Sequence, residues 1–366
     1  IGPSTNKYND LKDLHSAGMD VARINMSHAS HADALNVIES VHKLNKNQSD
    51  LYGPIGILLD TQGPEIRTGI SQSDVDLKTG DIVNLTIRDD VDVETSSIKI
   101  NYKGLIKSVH KGSKISIDNG LLNFKVLAKD NKNLKCKVLD GGMLGSKRHV
   151  NLPGVRVDLP SITKKDRKDI NFGIKNNVSF IALSFVRSAK DILTLKSILK
   201  RKKSPIKIIA KIENQEGLDN IHEITKAADI VMVARGDLGI ETDLADLPNI
   251  QRRIMYASAK WGRRSIVATH LLESMINNPT PTRAEVTDVA NAIYEGADAV
   301  MLSGETSVGK YPAQCIKMLK KIAIKTEHFR TLGYEKFLQD NSDWQNIAQG
   351  ARDLADRINA DGIIVK

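Results

Sequence analysis

Hydrophobic and polar positions follow two rhythms along this chain. In the first, apolar runs of strand length alternate with longer stretches whose apolar residues recur every three or four places. That pattern predicts strands of a parallel sheet joined by helices. The predicted strands cover 21–28, 55–61, 180–186, 207–213, 230–239, 265–269 and 299–303. The predicted helices cover 8–17, 31–46, 164–176, 189–201, 217–228, 247–262, 284–295 and 312–329, with Gly18 as C-cap of the first. The second rhythm runs from about residue 67 to residue 158, where helical spacing fades. Short alternating runs at 83–87, 98–100, 114–117, 121–127 and 134–139 are separated by turn signals at 79–81, 111–113, 118–120 and 140–142. They predict a small β-barrel inserted into the larger α/β fold, able to hinge as a lid.

Seven strand–helix units fall one short of a closed (β/α)8 TIM barrel. The expectation is an eighth strand just before Ile1. At the far end, a helix over 343–358 and a strand over 362–366 open a new α/β unit, so the sequence reads as truncated at both ends. The expected divisions are 1–66 with 158–335 for the barrel, 67–157 for the lid, and 336–366 for the start of a C-terminal α/β domain.

The stretch 207–239 anchors the chemistry. Side chains on a strand alternate faces, so Lys211 and Glu213 point the same way, and Asp237 is expected to end the next strand. A cation with two carboxylates at strand ends suits the mouth of a barrel enzyme and a divalent hard cation such as Mg²⁺. The spacing fits a salt bridge between loop ends equally well. In 21–28, Ala22, Ile24 and Met26 form an apolar face, leaving Arg23, Asn25 and Ser27 pointing toward the centre of the sheet. A buried Arg23 needs an anion or carboxylate beside it. Asp60 and Thr61 end the next strand and, with Asn25 and Ser27, make a set of hard oxygen ligands for a cation. Gly63-Pro64 equally supports a plain turn there. Lys147-Arg148 reads as a phosphate clamp or a solvated basic pair, and Thr269 as a substrate-facing hydroxyl or a helix cap.

The net charge of +9 is concentrated at 164–175, 196–207 and 317–325, which reads as solvated helix faces with some attraction for anionic substrates. Aromatic residues are only 4%, with no aromatic-rich strand, which argues against nucleic-acid recognition by base stacking. Cys136 and Cys315 have no metal-type spacing and fit a reducing, cytoplasmic compartment. No apolar stretch is long enough to cross a membrane, and Ile1-Gly-Pro-Ser-Thr5 does not read as a signal peptide.

Several motifs together carry a resemblance. Ile1-Gly-Pro-Ser4, Val21-Ala-Arg-Ile-Asn-Met-Ser-His28, Leu59-Asp-Thr-Gln-Gly-Pro-Glu-Ile-Arg-Thr-Gly69, Lys211-Ile-Glu-Asn214, Met232-Val-Ala-Arg-Gly-Asp-Leu-Gly239, Pro281-Thr-Arg-Ala-Glu285 and Met301-Leu-Ser-Gly-Glu-Thr306 resemble the pyruvate kinase family. The resemblance covers nearly the whole chain. It implies a barrel with an inserted β lid and a third, C-terminal domain of which only the first elements are present. It implies phosphoryl transfer from phosphoenolpyruvate to ADP, giving pyruvate and ATP as the last step of glycolysis, in a homo-oligomer that is a homotetramer in full-length members.

Residue by residue, the resemblance makes Glu213 and Asp237 the Mg²⁺ ligands and Asn25, Ser27, Asp60 and Thr61 the K⁺ ligands. Glu65 resembles the K⁺-dependent branch, since a Lys there would supply the charge internally. Arg23 and Lys211 match groups that bind the transferring phosphoryl, and Thr269 matches a residue near the face where the enolate is protonated. Ala234, Arg235 and Gly236, next to Asp237, match a turn holding the substrate carboxylate. Asn25, His28, Pro64, Arg67, Arg148 and Asn151 match nucleotide-side positions. Two departures stand out: His270 where Gln is usual, and Arg148 where Lys is common. Two other readings remain open on sequence: a barrel lyase acting on pyruvate enolates through Mg²⁺, and a non-catalytic basic scaffold.

Overall fold

A computed structural model of the chain describes residues 1–47, 53–94, 96–329, 333, 342–358 and 360. In it the seven apolar runs form one parallel sheet laid down in sequence order. The strands are Val21–Asn25, Gly56–Asp60, Phe180–Leu183, Lys207–Ile212, Ile230–Ala234, Arg264–Ala268 and Ala299–Met301. Parallel neighbours need crossovers, and helices supply most of them. Helix Tyr8–Ala17 stops where predicted, because Gly18 takes φ 117° and returns its N–H to the carbonyls of Leu14 and His15. Helix Lys164–Lys175 starts where Thr163 and Asp166 cap each other's backbone N–H groups.

Alternation sorts each strand into two faces. Ile24, Leu59, Ile181, Ile208, Val231 and Val267 point outward into the large core shared with the helices. Leu58, Ala182, Ile209, Met232 and Ala268 point inward and form a small, separate cluster inside the curled sheet. This inner plug fills the floor beneath the strand ends. At about 25 cal/mol per Å² of apolar surface, burying Leu58, Ile209 and Met232 stabilises the sheet by roughly 1.5–3 kcal/mol each, and the two alanines by less.

Residues near Ile1 link the first strand to the short helix Gly304–Ser307 that follows the last strand, without adding a strand of their own among the described residues. The Ile1 nitrogen donates to the Arg23 carbonyl at 2.8 Å, Ser4 N–H to the Ser307 carbonyl at 3.0 Å, and the Thr5 hydroxyl to the Thr306 carbonyl at 2.9 Å.

The second rhythm folds around its own core. Its six-stranded sheet runs Val150–Asn151, Lys114–Ile117, Leu122–Lys129, Asn133–Asp140, Ile82–Thr86 and Ser97–Lys99 in spatial order, beside a two-stranded ribbon of Val75–Leu77 and Gly142–Leu144. Phe124, Ile115, Leu85, Leu134 and Val138 fill its interior. The predicted turn at 118–120 is a left-handed run, with φ 56° at Asp118, 56° at Asn119 and 85° at Gly120.

The structure corrects four boundaries. The first strand stops at Asn25, because His28 and Ala29 N–H both return to the Asn25 carbonyl. The strand from Ile230 stops at Ala234, and Arg235–Glu241 is a helix, so Asp237 sits in a helical first turn rather than at a strand end. The third strand ends at Leu183, before Phe185 turns left-handed at φ 53°. The expected helix 217–228 is two pieces, Gln215–Asp219 and Ile221–Ala227. Gly217 in the first piece packs so closely that a Cβ would lie 2.5 Å from the Val186 carbonyl oxygen. Beyond the barrel, helix Asp343–Arg357 forms with Ser342 as its cap, while the expected strand 362–366 lies outside the described residues.

Met232 has no exposure in the inner cluster. Met232→Ala is therefore expected to leave a cavity costing about 2–5 kcal/mol, read as a lowered urea midpoint of the helical signal. An unchanged midpoint would show that the interior collapses to fill the gap.

Candidate active site

Register brings the charged residues together. Asn25 lies opposite Asp60, and Asp60 opposite Ala182, on adjacent strands. Asp60 is fully buried and bridges two cations. Arg23 Nε donates to its Oδ2 at 2.8 Å and Arg23 Nη2 approaches the same oxygen at 2.6 Å, while Lys211 Nζ stands 3.2 Å from Oδ1. Lys211 also reaches Glu213 Oε1 at 2.8 Å and donates to Ser184 Oγ at 2.9 Å. The other Glu213 oxygen accepts the Phe185 N–H at 2.6 Å.

These contacts set the protonation states. Burial alone would lift the Asp60 pKa, but Lys211 and Arg23 outweigh it and hold the carboxyl below its ordinary range. Burial would lower Lys211, but Asp60 and Glu213 overcome that and raise it. Glu213 is pushed up by burial, with Asp237 adding to the effect and Lys211 opposing it. Asp237 is raised by burial too, against the pull of Lys211 and with the charges of Glu65 and Asp60 adding to the rise. Two carboxyls held above their ordinary range form a donor pair that a divalent cation could stabilise. Among the described residues no group of three or more His, Cys, Asp or Glu is arranged for a metal. Two carboxylates and open positions suit Mg²⁺, which keeps water and substrate oxygens as its remaining ligands.

The monovalent set is likewise made of hard oxygens. The Asn25 side-chain oxygen accepts Ser27 N–H at 3.0 Å, and Ser27 Oγ lies 3.5 Å from Glu65 Oε1. The Thr61 hydroxyl donates to the Ala182 carbonyl at 3.0 Å and accepts Ser184 N–H at 3.2 Å. Oxygens of this kind could serve a hard cation.

Other expected residues have partners of their own. Arg67 pairs with Glu65 at 2.6 Å and donates to the Lys147 carbonyl at 2.8 Å. His28 is exposed at the rim beyond the first strand, and Pro64 lies in the turn after Thr61. Arg148 stays 3.5 Å from Asp118 on the insert's surface. The Asn151 amide nitrogen donates to Glu241 Oε1 at 2.9 Å. Thr269, at φ 71°, and His270, at φ 53°, form a left-handed pair after the sixth strand. The Thr269 hydroxyl accepts Gly236 N–H at 2.8 Å, so it faces the 234–237 segment. The Arg235 side chain turns away from that segment, toward Asp288 at 2.7 Å and the Thr269 carbonyl at 2.6 Å.

Sequence reasoning missed Ser184, Phe185, His149 and Glu241. A hydroxyl just past the end of a barrel strand was the available signal for Ser184. His149 Nδ1 approaches Asp237 Oδ1 at 3.8 Å, bringing the insert to the barrel mouth, and nothing in its local sequence marks it.

A family model described as "Pyruvate kinase, barrel domain" matches residues 1–316. The chain belongs to the pyruvate kinase family. It is 44% identical over 345 residues to a pyruvate kinase of Staphylococcus aureus (strain MRSA252), a match covering 93% of this chain and 58% of that protein. It is 45% identical over the same length to a pyruvate kinase of Staphylococcus epidermidis. The chain thus spans 58% of the length of these pyruvate kinases.

The contact between the insert and the barrel has its own titration. Glu241 accepts from Asn151 and, at 3.2 Å, from Leu152 N–H, yet burial lifts its pKa from 4.5 to about 7. A carboxyl raised in the native state takes up a proton on folding. Stability from this group is therefore complete below pH 4.5 and is lost as pH rises through about 7. The loss is on the order of 3 kcal/mol. Glu241→Gln should flatten the melting-temperature profile over that window; an unchanged slope would place the titrating group elsewhere.

Proposed function

We propose that this chain carries the catalytic site of a cytoplasmic enzyme that transfers a phosphoryl group from phosphoenolpyruvate to ADP, yielding pyruvate and ATP in the last step of glycolysis. The observation that carries the reading is Lys211, buried between Asp60 and Glu213 with its ammonium kept protonated. Membership of the pyruvate kinase family supports it. Phosphoryl transfer asks for positioning and charge neutralisation more than covalent catalysis.

Arg23 and Lys211 bind the phosphoryl oxygens from the inner face of the barrel. Lys211 also meets the bridging oxygen as the P–O bond breaks and negative charge passes to the enolate. The new P–O bond forms to the terminal oxygen of ADP, and a proton is delivered to the enolate carbon, through water, on the side where Thr269 stands. Glu213 and Asp237 would hold Mg²⁺, and Asn25, Ser27, Asp60 and Thr61 would hold K⁺. When bound, these ions neutralise charge on the substrate oxygens. The turn of Ala234, Arg235 and Gly236 would receive the substrate carboxylate, which would replace the Thr269 hydroxyl as acceptor of the Gly236 N–H. Asn25, His28, Pro64, Arg67, Arg148 and Asn151 serve the nucleotide.

The same reading divides the chain into a barrel of 1–66 and 158–335, a lid of 67–157 that closes over the mouth, and a C-terminal unit from 336, in a homo-oligomer. The separate core of 67–157 supports the division. Arg187 adds to it, since its guanidinium donates to the Val157 and Leu159 carbonyls at the join.

Purified chain supplied with phosphoenolpyruvate, ADP, Mg²⁺ and K⁺ is expected to form pyruvate in a lactate-dehydrogenase-coupled assay. Glu213→Gln should lower turnover by about a hundredfold or more, the scale of losing one transition-state electrostatic group, with circular dichroism unchanged. Undiminished turnover in that variant would remove the metal role.

A further inference from the structure

Two loops carry the oxygen set assigned above to a monovalent cation, and one turn of one helix holds both. The first loop, after Asn25, is tied by its own hydrogen bonds and by Met26 N–H, which donates to the Asp60 carbonyl at 2.9 Å. The Met26 side chain is buried in the outer core, so its peptide has little freedom to rotate. The Met26 carbonyl is taken by Lys165, whose Nζ donates at 2.6 Å. Lys165 also meets Asp169 Oδ2 at 2.7 Å, and Asp169 Oδ1 meets His31 Nε2 at 2.7 Å. His31 opens the helix that follows the loop and stacks on Phe172, with ring centroids 4.4 Å apart. The second loop, after Thr61, is tied by the next residue of the same helix: Asp166, fully buried, accepts Gly63 N–H at 3.0 Å.

We propose that Lys165 is a positioning residue for the monovalent-cation site, fixing the Ser27 loop against the Asp60–Thr61 loop through the Met26 carbonyl. The proposal rests on the K⁺ assignment given under Proposed function. An ordinary surface pair between Lys165 and Asp169, four residues apart on a helix, would need neither a strand-end carbonyl nor a buried carboxylate. Here the ammonium ties the helix to the turn between Asn25 and Ser27. Lys165 touches neither substrate nor ion. Its effect lies in how closely the loop oxygens converge, and groups that hold an ion's ligands in place commonly change ion affinity by about 10–100-fold when removed.

The test uses the whole chain as wild type, Lys165→Met, Lys165→Arg and Asp169→Asn. Two measurements are made on each: binding of Tl⁺, a K⁺ surrogate, by ²⁰⁵Tl NMR without substrate, and the K⁺ and Mg²⁺ concentrations giving half-maximal pyruvate formation. Lys165→Met should weaken Tl⁺ binding and raise the K⁺ requirement by about tenfold or more, with the Mg²⁺ requirement unchanged. Lys165→Arg should recover part of the loss. Asp169→Asn should shift the same two readings by less, and it serves where Lys165→Met folds poorly. Normal Tl⁺ binding in Lys165→Met, or K⁺ and Mg²⁺ requirements rising together, would overturn the positioning role while leaving the cation site standing. Wild type that binds no Tl⁺ and needs no K⁺ would remove the cation assignment and this proposal with it.

Discussion

A single buried carboxylate shared by two cations governs the barrel mouth. Asp60 has no exposure and takes Arg23 on one oxygen and Lys211 on the other. Removing Asp60 would leave Arg23 without its carboxylate and Lys211 with Glu213 alone, a costly change in a buried site. The arrangement also sets how much positive charge remains for an incoming anion. Lys211 is shared further with Glu213, so the formal charges of Arg23, Lys211, Asp60 and Glu213 cancel.

The order of strands explains why these residues can meet. Each strand lies beside its sequence neighbour, so functional groups at successive strand ends converge on one rim. The inner cluster of Leu58, Ala182, Ile209, Met232 and Ala268 closes the barrel below that rim. Charged side chains above it have no apolar interior to fall into and are directed toward the mouth.

Much of this was legible in the residues. Period-two and helical spacing located the strands and most helices, and the face shared by Lys211 and Glu213 followed from strand alternation alone. Strand ends were less legible, because they are decided by hydrogen bonds that cross between elements. Asn25 ends its strand by recapturing the N–H groups of His28 and Ala29. Asp237 was read onto a strand because Met232-Val-Ala is apolar, and periodicity does not show that the chain turns helical at Arg235. Lys165 and Glu241 escaped for a different reason. Each resembles an ordinary surface charge in its own segment, and its meaning comes from a partner in a distant one, Met26 for the lysine and Asn151 for the glutamate.

The helix Arg235–Glu241 places Asp237 and Glu241 four residues apart, one turn along the same face. One end touches His149 of the insert at the barrel mouth, and the other is gripped by Asn151, two residues further along the same insert. A helix this short bends little, so it is an arm fastened at two points to the insert. Swinging the insert outward would either strip Glu241 of its two donors or tilt the whole arm. The carboxylate at the mouth would then report the insert's angle, coupling a hinge motion to the geometry of charge at the centre of the barrel.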